Sequence, residues 1–220
     1  STGLIFPQGY EYSPQLGFGL DGVGWYFPIN DYMDLRLTGQ IYWHGTWAIT
    51  ADSKYRKRYK YNGGLNLKFA SRRTIDDLDN RANSYAIRWN HNQDGKAHPT
   101  RRLSGSMNIQ GNGFQRLNNN DARSVLSNQL SSNVSYSQSF PGKPFRLSAT
   151  MSHSQNTQTR AVNISLPKLN FQMDRIYSFK KKGASSGNKE KWFEKVSLRY
   201  NAQAQNKFVA TDTTLFSQKT

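Results

Sequence analysis

The chain has 220 residues, a formal net charge of +16, no cysteine, and 35% hydrophobic and 13% aromatic residues. Without cysteine, neither a disulfide framework nor a thiolate metal site can form. No stretch reaches the ~18 apolar residues of a membrane helix, which excludes helical spanning and says nothing against strands.

Ser1-Thr2-Gly3 shows neither a basic nor an apolar leader region, so a mature or trimmed chain is expected. A first strand is expected near Gly17–Phe27. No helix follows Gly17, Gly19, Gly22 and Gly24, so they read as bulges or weak pairing rather than a phosphate cradle. Tyr32–Trp43 alternates: Met33, Leu35, Leu37, Ile41 and Trp43 oppose Asp34, Arg36, Thr38 and Gln40. Successive side chains of a strand point to opposite faces, so this strand has an apolar and a polar side. His44-Gly45-Thr46 then reads as a tight turn.

The same two-faced pattern recurs at Trp47–Tyr55, Tyr59–Phe69, Tyr85–Asn90, Leu103–Gln110, Asn133–Tyr136 and Phe145–Ser152. It returns at Val162–Leu166 and Val196–Gln203, and more weakly near Leu169–Ile176 and Phe208–Phe216. This makes about ten to twelve strands of ~8–11 residues, long enough to cross a bilayer when tilted. Ser71–Asn83, Asn92–Arg102, Gly111–Asn128 and Lys180–Lys191 read as long polar loops, and Asp121–Gln129 as a short helix. Pro141–Pro144 reads as a turn. Short turns at one end and long loops at the other are expected of a membrane barrel. No fixed-period repeat and no domain boundary is visible, so residues 1–220 read as a single segment.

The positive charge points to an anionic partner, nucleic acid or lipid phosphate, or else to a solvated basic rim. "KYRKRYKY" (Lys54–Tyr61) interleaves cations with aromatics and is the best argument for a soluble basic β-protein that binds nucleic acid. The four histidines, His44, His91, His98 and His153, lack metal-ligand spacing. An interfacial position or a satisfied hydrogen bond is the expected role of His91 and His153. Asp76, Asp77 and Asp79 cluster with Arg72, Arg73 and Arg81. They could do acid–base work in a smaller outer-membrane barrel enzyme, but a solvated, charge-balanced loop is the expectation. No catalytic residue, metal or cofactor is assigned. Asn133-Val134-Ser135 and Asn163-Ile164-Ser165 match the glycosylation triplet by accident of an Asn/Ser-rich face.

The opening, "STGLIFPQGYEYSPQLGFGLDGVGWYFPINDYMDLRL", resembles the start of the barrel in the LptD family of lipopolysaccharide-assembly outer-membrane proteins. The matching features are Thr2–Pro7, the aromatic Trp25-Tyr26-Phe27, Asn30-Asp31, and Met33-Asp34 ahead of an alternating strand. The resemblance is strongest over Ser1–Phe69. Trp89–Asp94 and Ser152–Pro167 look like a divergent branch.

The resemblance implies an all-β, antiparallel transmembrane β-barrel in the outer membrane of a Gram-negative cell. It implies passage of lipopolysaccharide through the lumen and out of a lateral seam, with no enzymatic step. The implied partners are lipopolysaccharide, an LptE-like plug lipoprotein, a periplasmic transport bridge and outer-membrane lipid, and not nucleic acid. Prolines in the first two strands of that family weaken the seam by their missing N–H. Pro7 matches the first; the second has no counterpart, and Gly24, beside Gly22, stands near its place.

Pro7, Gly22 and Gly24 are therefore the lateral-gate candidates. Arg36, Gln40, Asn62, Asn66, Lys68, Arg88, Asn108 and Arg146 are the lumen-facing candidates. The family's barrel of about 26 strands needs about 500 residues at roughly 20 per strand and loop. The chain is thus expected to be the N-terminal part of such a barrel, without the periplasmic jelly-roll domain. A smaller outer-membrane enzyme or a porin is the alternative.

Overall fold

The computed structural model describes residues 2–14, 16–74, 77–111, 129–177, 179 and 192–211. It is a single antiparallel sheet of twelve strands. In chain order these are β1 (Gly3–Ile5), β2 (Gly9–Ser13), β3 (Gly17–Asn30), β4 (Met33–Tyr42), β5 (Trp47–Lys57) and β6 (Tyr61–Thr74). They continue as β7 (Asp77–Gln93), β8 (Arg101–Gln110), β9 (Gln129–Ser139), β10 (Phe145–Asn156), β11 (Ala161–Ile176) and β12 (Leu198–Thr211). Neighbours in sequence are neighbours in the sheet, except that β1 and β2 both pair with β3. A single 3₁₀ turn at Trp192–Lys195 is the only helical element among the described residues. Among the described residues the sheet does not close: β12 forms one edge, and β1 with β2 forms the other.

Register makes the two faces continuous across the strands. Leu37 pairs with Trp25 and Ala51, Ala51 with Leu67, Leu67 with Ile87, and Ile87 with Ile109. Directly opposed residues share a face, so one apolar band crosses β3 to β8. It stays outside any core. Ile41, Ile49, Phe69 and Phe208 are 66, 52, 42 and 52% exposed. The buried hydrophobic residues among those described are three alanines, Leu130 and Val162. A soluble sheet buries its apolar face. Here Leu35, Leu65 and Leu147, the side chains that a dry centre would gather, are only half-buried, as are Asn66 and Ser148 on the other face. This is the arrangement of a sheet whose apolar side meets hydrocarbon, where each fully transferred Leu or Phe contributes roughly 1.5–3 kcal/mol.

Two of the hydroxyls on the apolar face are satisfied within the sheet, as a medium without water favours. Ser53 Oγ donates to the Asp34 carbonyl at 2.7 Å. Ser132 Oγ lies 3.3 Å from His153 Nδ1, which accounts for that buried histidine. Rings also cover glycines on, or just past the end of, neighbouring strands. Tyr55 lies over Gly63, Trp89 over Gly105 and Tyr85 over Gly111, each where an added Cβ would meet the ring. Covering a bare stretch of strand in this way restores packing that glycine cannot supply.

Several elements differ from the expectation. The strand at Gly17–Phe27 is not the first: Gly3–Ile5 and Gly9–Ser13 precede it and pair with it. Ser71–Asn83 is no long loop. Ser71 pairs with Asn83 and Arg72 with Ala82, because ladder bonds need only backbone and the polar face accepts such side chains. The segments at Val162–Leu166 and Leu169–Ile176 are one strand, β11, whose bulge at Leu166-Pro167 offsets the alternation. Likewise Val196–Gln203 and Phe208–Phe216 contribute to a single strand, β12. Tyr59 lies in the turn before β6, not in the strand.

Long connections are not gathered at one end: 111–128 and 177–197 leave opposite ends of the sheet. Asp121–Gln129, apart from Gln129 in β9, and Lys180–Lys191 lie outside the described residues.

Candidate functional site

All eight candidates for the lumen side lie on the polar face. One cross-strand row runs Tyr26, Arg36, Asp52, Asn66, Arg88, Asn108. Asp52 stands between Arg36 and Asn66 in it, and Asn66 Nδ2 donates to Asp52 Oδ1 at 2.5 Å. The next row places Lys68 between Thr50 and Ala86. Gln40 Nε2 donates to Asp21 Oδ1 at 2.7 Å, so Gln40 is engaged rather than free. Asn62 sits between Arg56 and Asn92. Arg146 stands apart from the rest on β10, 3.9 Å from Asp174, in a pair whose side chains are both more than half exposed. Such a pair contributes about 0–1 kcal/mol.

From β8 onward the same face turns largely to hydroxyls and amides: Ser104 pairs with Ser135 across the ladder, their Oγ atoms 3.1 Å apart. Sequence alternation found this face but not its buried part, where Ala48, Ala70 and Ser84 lie side by side at 6, 1 and 1% exposure. The face offers rows of donors and acceptors.

Among the described residues no three His, Asp or Glu side chains gather as a metal site. His91 stacks on Trp89 and bonds the Tyr55 hydroxyl, and His98 accepts from the Thr100 N–H at 3.2 Å. Asp76 lies outside the described residues, so the Asp76–Asp79 cluster carries no structural reading.

The three gate candidates come together at the free edge. Pro7 falls in the gap between β1 and β2, where the border strand is interrupted at residues 6–8. Opposite that gap β3 carries a bulge. Ile5 pairs with Gly24 and Gly9 with Asp21, which leaves Gly22 and Val23 facing the break. Gly22 has φ +80°, the left-handed conformation that a bulge glycine adopts without a Cβ penalty. The Gln8 N–H donates to the Asp21 carbonyl at 2.9 Å and resumes the ladder past the gap.

Gly24 plays a different part. A Cβ there would stand 2.9 Å from the Leu37 carbonyl carbon and closer still to its oxygen, so β3 and β4 approach tightly at this point. Two features of this edge escaped the sequence reading. Tyr10 and Tyr12 of β2 lie opposite Leu20 and Phe18, which the alternation Tyr-Glu-Tyr could have signalled. Tyr42 crosses Gly19 so that its hydroxyl reaches Glu11, 3.4 Å away on the border strand.

The profile of a family described as "LptD protein" matches residues 1–220, the whole chain. No curated protein matches with significance. Among solved structures, the chain is similar to the crystal structure of Acinetobacter baumannii OccAB2, at 10% identity and a TM-score of 0.36. The similarity covers 93% of this chain and 53% of that one, so the chain spans about half the length of the structure it matches.

Proposed function

Because the chain belongs to the LptD family, we propose that its sheet is one side of an outer-membrane barrel that passes lipopolysaccharide along the polar face. The lipid leaves sideways through a seam at the β1–β2 edge. The single observation that carries this reading is the edge itself: a border strand broken at Pro7, facing a glycine bulge at Gly22. Both features remove ladder bonds from one place. A strand edge in hydrocarbon must be paired, so this border needs a partner strand in the closed barrel. Held to β3 by few bonds at the break, the border can shift at low cost when the seam opens.

On this reading, Arg36, Asn62, Asn66, Lys68, Arg88, Asn108 and Arg146 offer donors to anionic sugars or to a plug lipoprotein, and Gln40 braces Asp21. The lipid arrives from a periplasmic bridge, and the mechanism is passage without bond chemistry. The polar rows need not distort for this, because donors spaced at ladder intervals exchange one headgroup contact for the next.

Site-specific photocrosslinking in cells tests the reading. A photoreactive residue at Asn66 or Lys68 of the full-length protein is expected to capture lipopolysaccharide. The same residue at Leu67, one position away on the opposite face, is expected to capture phospholipid instead. Equal capture at 66 and 67 by a folded barrel, or no lipopolysaccharide at any polar-face position, overturns it.

A further inference from the structure

We propose that the groove between the β5–β6 turn (58–60) and the β7–β8 connection (94–100) binds the phosphate-bearing headgroup of an anionic lipid at the membrane surface. The inference needs only the membrane placement of the sheet, not the export of lipopolysaccharide, and stands if export fails.

The first argument is position. Tyr55, Tyr61, Trp89 and His91 form a ring cluster on the apolar face, with centroids 5.8–6.0 Å apart. Tyrosine and tryptophan collect at the level of the headgroups. Lys57, Arg58 and Lys60 follow Tyr55 by two to five residues. At about 3.3 Å of rise per strand residue, they stand within the layer of lipid phosphates.

The second argument is charge. Arg56, Lys57, Arg58, Lys60 and Arg102 line the groove against one carboxylate, Asp94. That carboxylate caps its own turn by accepting the Lys96 N–H at 2.9 Å. Among the described residues, none of the five cations has a carboxylate within 4.0 Å. Like charges held together repel, and an entering anion removes that penalty.

The third argument is shape. Tyr59 has φ +58°, a conformation uncommon outside glycine, and its ring lies 5.6 Å from the Arg58 guanidinium and 5.7 Å from Lys96 Nζ. The Asp94 N–H donates to the Lys60 carbonyl at 2.9 Å and ties the two turns together. The groove between them has a volume of about 470 Å³, room for a phosphorylated glycerol or sugar.

Lys57 and Tyr61 belong to the apolar face, and Arg56, Asn62 and Arg102 to the polar one. The groove therefore straddles the rim. Inorganic phosphate would meet the same cations, but only an amphiphile also continues onto the apolar band beside Tyr61. Nucleic acid has no use for that band.

The test uses full-length protein in neutral detergent, with short-chain phosphatidic acid and phosphatidylcholine as probes. Binding is measured by calorimetry and by lipid retention in native mass spectrometry. Phosphatidic acid is expected to bind tightly and phosphatidylcholine weakly. The variant Arg58→Gln/Lys60→Gln/Arg102→Gln is expected to lose phosphatidic acid binding by on the order of a hundredfold, at roughly fivefold per basic residue.

A charge-conserving variant, Arg58→Lys/Lys60→Arg/Arg102→Lys, is expected to keep most of the affinity, which separates charge from folding. Equal binding of the two lipids overturns the proposal, as does an unchanged Gln variant or an equal loss in both variants. Displacement of the lipid by equimolar inorganic phosphate, or by a single-stranded oligonucleotide, overturns the headgroup assignment.

Discussion

The Trp89 indole N–H donates to the Tyr55 hydroxyl at 3.0 Å, although the strand β6 runs between them. The bond exists because Gly63 occupies the intervening position, where the Tyr55 ring lies across bare backbone. Three strands are thereby joined on the face that meets lipid. Replacing Gly63 by valine is expected to push the ring aside and cost about 1–3 kcal/mol. Gly95, where a Cβ would meet nothing within 4 Å, is the control, and Gly95→Ala is expected to be neutral. Unfolding of the reconstituted barrel in urea, read by tryptophan emission, checks both.

Tyr55→Phe isolates the hydroxyl from the ring. The phenylalanine still covers Gly63, but the half-buried indole N–H and His91 lose their partner. The expected loss is about 0.5–1.5 kcal/mol, the net contribution of one hydrogen bond that is not fully buried. The same denaturation measurement reads it, and a shift of the Trp89 emission maximum accompanies it.

The two faces differ in what they tolerate. Leu67→Arg, in the middle of the apolar band, is expected to cost about 2–4 kcal/mol of folding into a bilayer. Asn66→Arg, its neighbour in sequence, faces the opposite way beside Asp52 and is expected to fold normally. The fraction of protein that becomes heat-modifiable on a gel after insertion reports the difference.

Ala70→Leu contrasts with both. It lies on the polar face, yet at 1% exposure it has no room to grow. A cost of about 1–3 kcal/mol is expected from overpacking. A neutral result in the denaturation assay would mean that this part of the face is open.

At the free edge, Gly22→Val forces a β-branched residue into φ +80° and is expected to cost about 1–2 kcal/mol. Pro7→Ala works the other way, by restoring an N–H where β1 and β2 are interrupted. Its expected outcome is a barrel at least as stable as the parent that delivers less lipopolysaccharide to the cell surface. Surface labelling of lipopolysaccharide in cells that depend on the variant measures this.

Strict period-two alternation made the two faces legible at Tyr32–Trp43 and Phe145–Ser152, because every second residue there is large and apolar. It failed where a bulge offset the count. Leu166-Pro167 split one strand into two readings, and Gly22 lets Leu20 and Val23 share a face despite their odd spacing. The border strand was missed for another reason. Three residues in β1 and five in β2 are too short to show a period, and their pairing comes from β3 rather than from their own sequence. The candidate residues of the polar face were legible as a set. Their row partners were not, since register depends on turns such as 58–60 that alternation does not specify.

The interruption at Pro7 divides the border into a piece of three residues and a piece of five. Each is tied to β3 by its own few contacts, so detachment need not travel the full height of the wall. If the seam opens here as proposed, the shorter piece can lift while the longer stays seated, and its return requires no new search for alignment. A wall built this way remembers its place when it re-forms, which an unbroken border that had peeled from end to end would have to find again.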